Sequence, residues 1–249
     1  MQNKREDLGI NLPFVFIKKD SLFLYGPQQW YVHDYKKSDS IELTNQFATT
    51  NVWICQTEIS NKNYKSFLNS LLKDSLIELY KKCKIDETAW LRKDSLNPFY
   101  DSLSRNYFKS DFYNSYPVVC LTYESMKEYV NWLNRNEPSK NIIYALPLEE
   151  EWLSAFNTKD FNDSSFTWEG YHYLNSYNQM LANFAFLDPN QLRYDHVDDH
   201  MWFHDFKNEG YLSIINGPKP IYSYNPNLMG TYNMSGNVAE IINTPPQQI

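Results

Sequence analysis

Short apolar runs and stretches of helical spacing alternate along this chain, and their order sets the first expectations of fold. Residues 13–26 read PFVFIKKDSLFLYG, two β-rich runs either side of a polar KKDS, which is the pattern of a hairpin. Residues 46–57 (QFATTNVWICQT) read as a further strand. Ser60 is then followed by Asn63, Tyr64, Phe67, Leu68, Leu71 and Leu72, a spacing that predicts a helix capped by Ser60 and fraying near residues 81–84. Residues 86–111 are polar, aromatic and irregular, with Pro98 breaking any long element. At residues 116–121 (YPVVCL) a short buried strand is expected to lead into TYESMKEYVNWLNR, where Met126, Tyr129, Val130 and Leu133 recur at helical intervals behind a Thr122 cap with Ser125 nearby. Residues 142–146 predict another strand. Pro147 opens a helix whose first turn carries Glu149, Glu150 and Glu151, favourable at the positive helix end, with Trp152, Leu153 and Phe156 facing the core. From residue 157 onward the chain reads as aromatic-rich loop, more irregular chain than a compact domain keeps without something to organise it.

Composition sharpens this picture. Aromatic residues are 17% of the 249, with Tyr 20, Phe 15 and Trp 7, too much ring surface for a disordered chain to leave in water. With Gly at 7 and Pro at 12 there is no Gly/Ser linker, collagen period or tandem repeat, so residues 1–249 are expected to form a single domain. The net charge of −7 comes with scattered lysines, and without a basic stripe to meet a phosphate backbone nucleic acid is not an expected partner. No apolar stretch approaches the roughly 20 residues that span a bilayer, and the start MQNKREDLG is not a signal peptide, so a cytoplasmic location is expected if the chain is complete. Cys55, Cys83 and Cys120 are an odd number at wide spacing, which fits neither a disulfide framework nor a zinc knuckle, and Cys55 and Cys120 lie in apolar runs that predict burial.

Five blocks in one order over residues 53–241 carry a family resemblance. WICQTEISNKNYKSFL, with Glu58, Asn61, Tyr64 and Phe67, resembles the opening "F-x-I-x-x-x-E-V-T-N-x-x-Y-x-x-F" of the formylglycine-generating enzymes, also called sulfatase-modifying factors. YPVVCLTYESMKEYVNWLN resembles its "P-V-V-x-V-S-W-x-x-A-x-x-Y-x-x-W", and YALPLEEEWLSAF its "R-L-P-T-E-A-E-W-E-x-A". TWEGYHYLNSYNQMLANF resembles "P-W-G … A-N-F", and PNLMGTYNMSGNVAEI resembles "P-N-x-F-G-L-Y-D-M-x-G-N-V-x-E-W". The resemblance implies an α+β fold, a C-type-lectin-like variant with much irregular loop. The ETAWLRK and SDFYNSYPVV stretches and the alanine of GNVAE are closest to the branch of gliding-motility lipoproteins of an outer-membrane secretion apparatus.

Candidate chemistry divides along the same lines. In NMSGNVAE, side-chain oxygens of Asn233 and Glu240 and carbonyls between them are the donors a hard cation takes. The family resemblance implies a calcium site at Asn233, Gly236, Val238 and Glu240; read alone, the same residues fit a Gly-Asn turn with Asn237 as a cap. A second calcium site in the family corresponds to Asn183, Phe184, Glu209 and Tyr211. There Glu209 replaces an Asp, and its extra methylene displaces the carboxylate by more than a ~0.2 Å coordination tolerance unless the loop shifts. His196, Asp198, Asp199, His200, His204 and Asp205 crowd DHVDDHMWFHD, where His200 and His204 at i, i+4 would share a helical face for zinc or iron; the alternative is a solvated acidic loop. Formylglycine formation in the family uses a cysteine pair as copper ligands, placed after the block that ends here at Glu240. The family's closing "G-G-S" and "G-F-R" blocks are also not seen before Ile249, which implies a C-terminally incomplete domain. The expected function is a noncatalytic structural or binding module of a bacterial cell-envelope, secretion or gliding-type assembly with protein partners and an envelope or periplasmic location. The alternative is a formylglycine-generating oxidase or related metal-dependent oxygenase whose catalytic segment lies beyond this chain.

Overall fold

In the computed structural model, residues 12–18, 21–24, 45–48, 51–89, 98–156, 181–183, 194–195, 200–201 and 217–243 are described, and at 21–24, 45–48, 98–101, 194–195 and 200–201 the description is of the backbone. Four strands open the fold: β1 Phe14–Ile17, β2 Ser21–Leu24, β3 Asn45–Ala48 and β4 Val52–Cys55. The two apolar runs of 13–26 are strands as expected, but they do not form a hairpin with each other. β1 pairs antiparallel with β4, and β2 with β3. The register explains why. Phe14 sits opposite Cys55 and Leu24 opposite Asn45, so each apolar run finds its partner within residues 45–55 and not in the other run. KKDS offers no Gly or Asn for a tight turn.

Helix α1 (Asn61–Lys73) begins where the Ser60 hydroxyl accepts from the Asn63 backbone N–H, as the sequence predicts. It does not run on to residue 84. Ser75 turns left-handed (φ 59°), and the Leu76 N–H reaches back to the Leu71 carbonyl at 2.8 Å, closing the helix in the manner usually reserved for glycine. A separate α2 (Ile77–Cys83) follows. Pro98 opens α3 (Pro98–Asn106) instead of breaking an element, which suits a residue whose missing N–H and fixed φ fit a first helical turn.

Two expected strands are absent as strands. Residues 116–121 make one isolated bridge, Ser60 to Pro117, and then Cys120 takes a left-handed φ of 60° that stops any extension. At residues 142–146 the Asn134 side chain replaces a strand partner: its Oδ1 accepts from the Tyr144 N–H at 2.7 Å and its Nδ2 donates to the Tyr144 carbonyl at 2.9 Å. With its backbone satisfied by a side chain, the segment leaves Ile143 83% exposed. Helix α4 (Tyr123–Asn136) has the predicted Thr122 cap, with a reciprocal Thr122–Ser125 capping box. Helix α5 (Glu149–Phe156) buries Ser154 and Ala155, while Trp152 is only half-buried, contrary to its expected place in the core.

The core lies among α1, α2, α3 and α4. Tyr64, Phe67 and Leu71 meet Tyr129, Trp132 and Leu133, with ring centroids 5.5 Å apart for Phe67–Trp132 and 5.6 Å for Phe67–Tyr129. Burying such rings contributes about 1.5–3 kcal/mol each. Their polar ends are paired: Tyr64 donates to the Cys83 carbonyl at 2.8 Å and Tyr107 to the Pro117 carbonyl at 2.6 Å. Cys83 is fully buried, whereas Cys55 and Cys120, expected to be buried, are half-buried. A last strand pair, β5 (Tyr194–Asp195) with β6 (His200–Met201), makes the described whole a mixed α+β structure.

The left-handed Ser75 generates a stability prediction. A side chain at that φ costs about 1–2 kcal/mol, partly offset by the extra freedom glycine has when unfolded. Ser75→Gly should therefore stabilise by about 0.5–1 kcal/mol, a rise of a few degrees at most in a thermal melt. A fall in melting temperature would show that Ser75 has a side-chain role that outweighs its backbone strain.

Candidate functional site

The connection from β4 to α1 places one carboxylate with little freedom. Glu58 stands three residues after Cys55 and two before the Ser60 cap, so strand pairing fixes it on one side and helix capping on the other. Opposite it runs residues 217–243, a segment without helix or strand. Main-chain bonds hold this segment at several points: the Tyr232 N–H donates to the Gln56 carbonyl at 2.7 Å, and Ile221 N–H to the Ser115 carbonyl at 2.9 Å. Asn227 Nδ2 and the Thr231 hydroxyl both donate to the Ala155 carbonyl of α5, at 2.8 and 3.0 Å. These bonds anchor the irregular segment to Gln56 just after β4, to Ser115 and to α5.

Within NMSGNVAE the backbone is left-handed at three residues, Asn233 (φ 54°), Gly236 (φ 91°) and Asn237 (φ 64°). Asparagine tolerates that region better than most residues. Both asparagines present their amides to Glu58: Asn237 Nδ2 donates to Oε1 at 2.8 Å and Asn233 Nδ2 donates to Oε2 at 3.1 Å. Asn233 Nδ2 also donates to the Ile221 carbonyl at 3.1 Å. Two acceptors on the nitrogen fix the orientation of the amide, and its Oδ1 is left buried with no hydrogen-bond partner.

Asn183 repeats the arrangement. Its Nδ2 donates to the Gly217 carbonyl at 3.2 Å and to Asn237 Oδ1 at 3.0 Å, and its Oδ1 is likewise buried without a partner. Asn237 is the hub, with both side-chain polar atoms engaged, since its Oδ1 also accepts from the Lys219 N–H at 2.8 Å. Its side-chain oxygen is thus taken up by two donors.

Asn183 and Asn233 line one cavity of about 380 Å³ together with Trp152, Gly236, Val238 and Glu240. All four residues of the first calcium expectation are therefore brought to one place. Asn183, expected at a second site, joins them; Phe184, Glu209 and Tyr211 lie outside the described residues, as do His196, Asp198, Asp199, His204 and Asp205. His200 starts strand β6 and not a helical turn.

The carboxyl of Glu240 accepts from the Trp152 indole N–H at 2.5 Å, which explains why Trp152 is drawn out of the core. Crowding by the surrounding protein pushes Glu240 up to about 7, the Glu58 carboxylate adds to the rise, and the Trp152 bond opposes it. The residue itself keeps contact with solvent, and water screens part of that rise. Burial also raises Glu58, against the effect of its two amide bonds.

An unpartnered buried amide oxygen costs about 1–3 kcal/mol. The residues that carry two such oxygens line one cavity together with Gly236, Val238 and Glu240, and amide, carbonyl and carboxylate oxygens are hard donors of the kind that calcium takes. Two further unpartnered groups, Asn61 Oδ1 and Tyr129 OH, belong to residues outside the cavity lining. Among the described residues no cluster of three His, Cys, Asp or Glu side chains is placed to hold a metal, so a cation here would rest mainly on amide and carbonyl oxygens. Sequence reading missed the roles of Glu58, Asn237 and Trp152. Glu58 stood in a recognised motif, and that was the one signal available.

Compared with known proteins, the chain matches the family model described as a sulfatase-modifying factor enzyme 1-like domain over residues 34–248. No curated protein matches it.

A pH dependence follows from the raised carboxyl. Glu240 binds its proton more tightly folded than unfolded, so its contribution to stability is full below its ordinary 4.5 and is lost as pH rises through about 7. Glu58 shifts in the same direction. In EDTA, melting temperature should fall between about pH 5 and pH 8, and Glu240→Gln should flatten part of that slope. A variant whose slope equals that of the wild type would remove Glu240 as its source.

Proposed function

This chain belongs to the sulfatase-modifying factor enzyme 1-like domain family, and from that premise we propose that it is a noncatalytic structural or binding module whose irregular loops are organised by a bound calcium ion. The observation that carries the reading is the pair of buried, unpartnered oxygens, Asn183 Oδ1 and Asn233 Oδ1, on residues that line the cavity of Glu240. Asn233 and Glu240 would supply side-chain oxygens and Gly236 and Val238 their carbonyls, with Asn183 alongside. The ion would supply positive charge to oxygens that otherwise have none facing them.

The proposed fold is the C-type-lectin-like one of the formylglycine-generating enzymes. It is supported by a long segment, residues 217–243, that is held by scattered main-chain and side-chain bonds and not by regular structure. The proposed setting is an assembly of the bacterial cell envelope, of the secretion or gliding type, with protein partners. Its support is the resemblance of ETAWLRK, SDFYNSYPVV and GNVAE to that branch and an exposed aromatic surface, including Trp53 at 64% and Phe112 at 70%, of the type that favours interfaces.

The three thiols of the described residues do not form a copper pair themselves. Cys55, Cys83 and Cys120 are in no disulfide and lie in three different elements or turns. Burial raises Cys55 and Cys83, away from the thiolate that copper or a nucleophilic step needs. The protein incubated with copper and a cysteine-containing sulfatase peptide should consume oxygen at the background rate. Turnover that survives repurification with defined metal would establish the oxidase instead.

Calcium itself is tested by melting. A ligand bound only by the folded state stabilises by about 2.7 kcal/mol at a hundredfold excess over Kd, which is about 5 °C or more for a chain of this size. Calcium should produce that rise, EGTA should reverse it, and Glu240→Gln should lose most of it. An EGTA-insensitive melting temperature in the wild type would reduce NMSGNVAE to a turn.

A further inference from the structure

We propose that Glu58 is the positioning residue of this site: by accepting an amide hydrogen bond from each of Asn233 and Asn237, it decides which atom of Asn233 is left for a cation. This rests on the calcium reading above but concerns a residue that would not touch the ion. Glu58 Oε2 and the Ile221 carbonyl take the Asn233 nitrogen, which turns Oδ1 away from them, while Oε1 takes the Asn237 nitrogen. Groups behind the ligands commonly orient them, and their loss lowers metal affinity by about 10–100-fold.

The geometry makes an unusual demand on this residue. Both partners of Glu58 are donors, so only a group with two acceptor atoms satisfies them. A glutamine of the same size offers one acceptor and one NH2, and that NH2 faces an NH2 unless one asparagine turns over. The two asparagines differ in what they lose by turning. Asn237 would give up its bonds with the Lys219 N–H, the Lys219 carbonyl and Asn183. Asn233 would give up only the bond to the Ile221 carbonyl. Asn233 is therefore the one that turns, bringing its nitrogen to where Oδ1 stood and presenting a donor to the cation. Truncation to alanine imposes no such reversal, since Ile221 still holds the nitrogen and water can reach the vacated acceptor positions.

The predicted order of damage is thus the reverse of what size would give: Glu58→Gln, the isostere, should harm binding more than Glu58→Ala. Terbium luminescence excited through tryptophan provides a readout separate from stability, because the Trp152 indole is bonded to the Glu240 carboxylate. Terbium titrations, with calcium competing, should give wild-type binding, a modest loss for Glu58→Ala and a loss of about tenfold or more for Glu58→Gln. The double variant Glu58→Gln/Asn233→Asp should recover much of that loss, because a carboxylate accepts from the new NH2 and still presents an oxygen to the ion. Circular-dichroism melts in EGTA identify folded samples, and the double variant decides the matter if Glu58→Gln alone does not fold. Glu58→Gln binding as well as or better than Glu58→Ala, or no recovery in the double variant, overturns the positioning role while leaving the calcium site standing. No competable terbium signal in the wild type overturns the calcium reading and this role together.

Discussion

A single carboxylate that accepts from two left-handed asparagines ties the two halves of this protein together. Glu58 belongs to the connection between β4 and the first helix; Asn233 and Asn237 belong to a segment with no regular structure of its own. A loop of that kind has no ladder or helix turn to fix its side chains, so orientation must come from bonds to a rigid neighbour. Glu58 is rigid because antiparallel pairing sets Cys55 and capping sets Ser60. Asn237 extends the tie to Asn183, so a third stretch of chain takes its orientation from the same carboxylate.

The aromatic helical core bears on the site through this chain of constraints. Phe67, Tyr129 and Trp132 hold α1 against α4, and Asn61 at the start of α1 donates to the Tyr113 carbonyl at 3.0 Å from full burial. The start of α1 is thereby anchored in the core, and Glu58 lies just before it. On the opposite wall, α5 contributes Trp152, whose indole meets Glu240. The cavity is thus lined by α5, by Asn183 and by the 233–240 loop, while Glu58 holds that loop through its two asparagines.

Local features of this fold were legible in the sequence, and features that depend on distant partners were not. The Ser60 and Thr122 caps were readable because a capping bond joins residues three apart. The hairpin at residues 13–26 was misread because strand pairing is decided by a partner about forty residues away in the sequence, not by the run itself. Residues 142–146 carry β-forming side chains, yet an asparagine ten residues earlier takes their hydrogen bonds. The four loop positions Asn233, Gly236, Val238 and Glu240 came from family resemblance, and they do line one cavity. Glu58 lies 175 residues from Asn233, and no periodicity or spacing links two side chains that far apart.

The central claim is that a hard cation sits among the oxygens of Asn233, Gly236, Val238 and Glu240. Crystals grown with calcium, or with a lanthanide in its place, would test it by the position of the anomalous peak. The account predicts one strong peak inside the cavity, about 2.3–2.6 Å from Asn233 Oδ1, the Glu240 carboxylate and the two carbonyls for calcium. A well-ordered loop with no peak there, or with a side chain of the protein filling the position opposite Asn233 Oδ1, would contradict it.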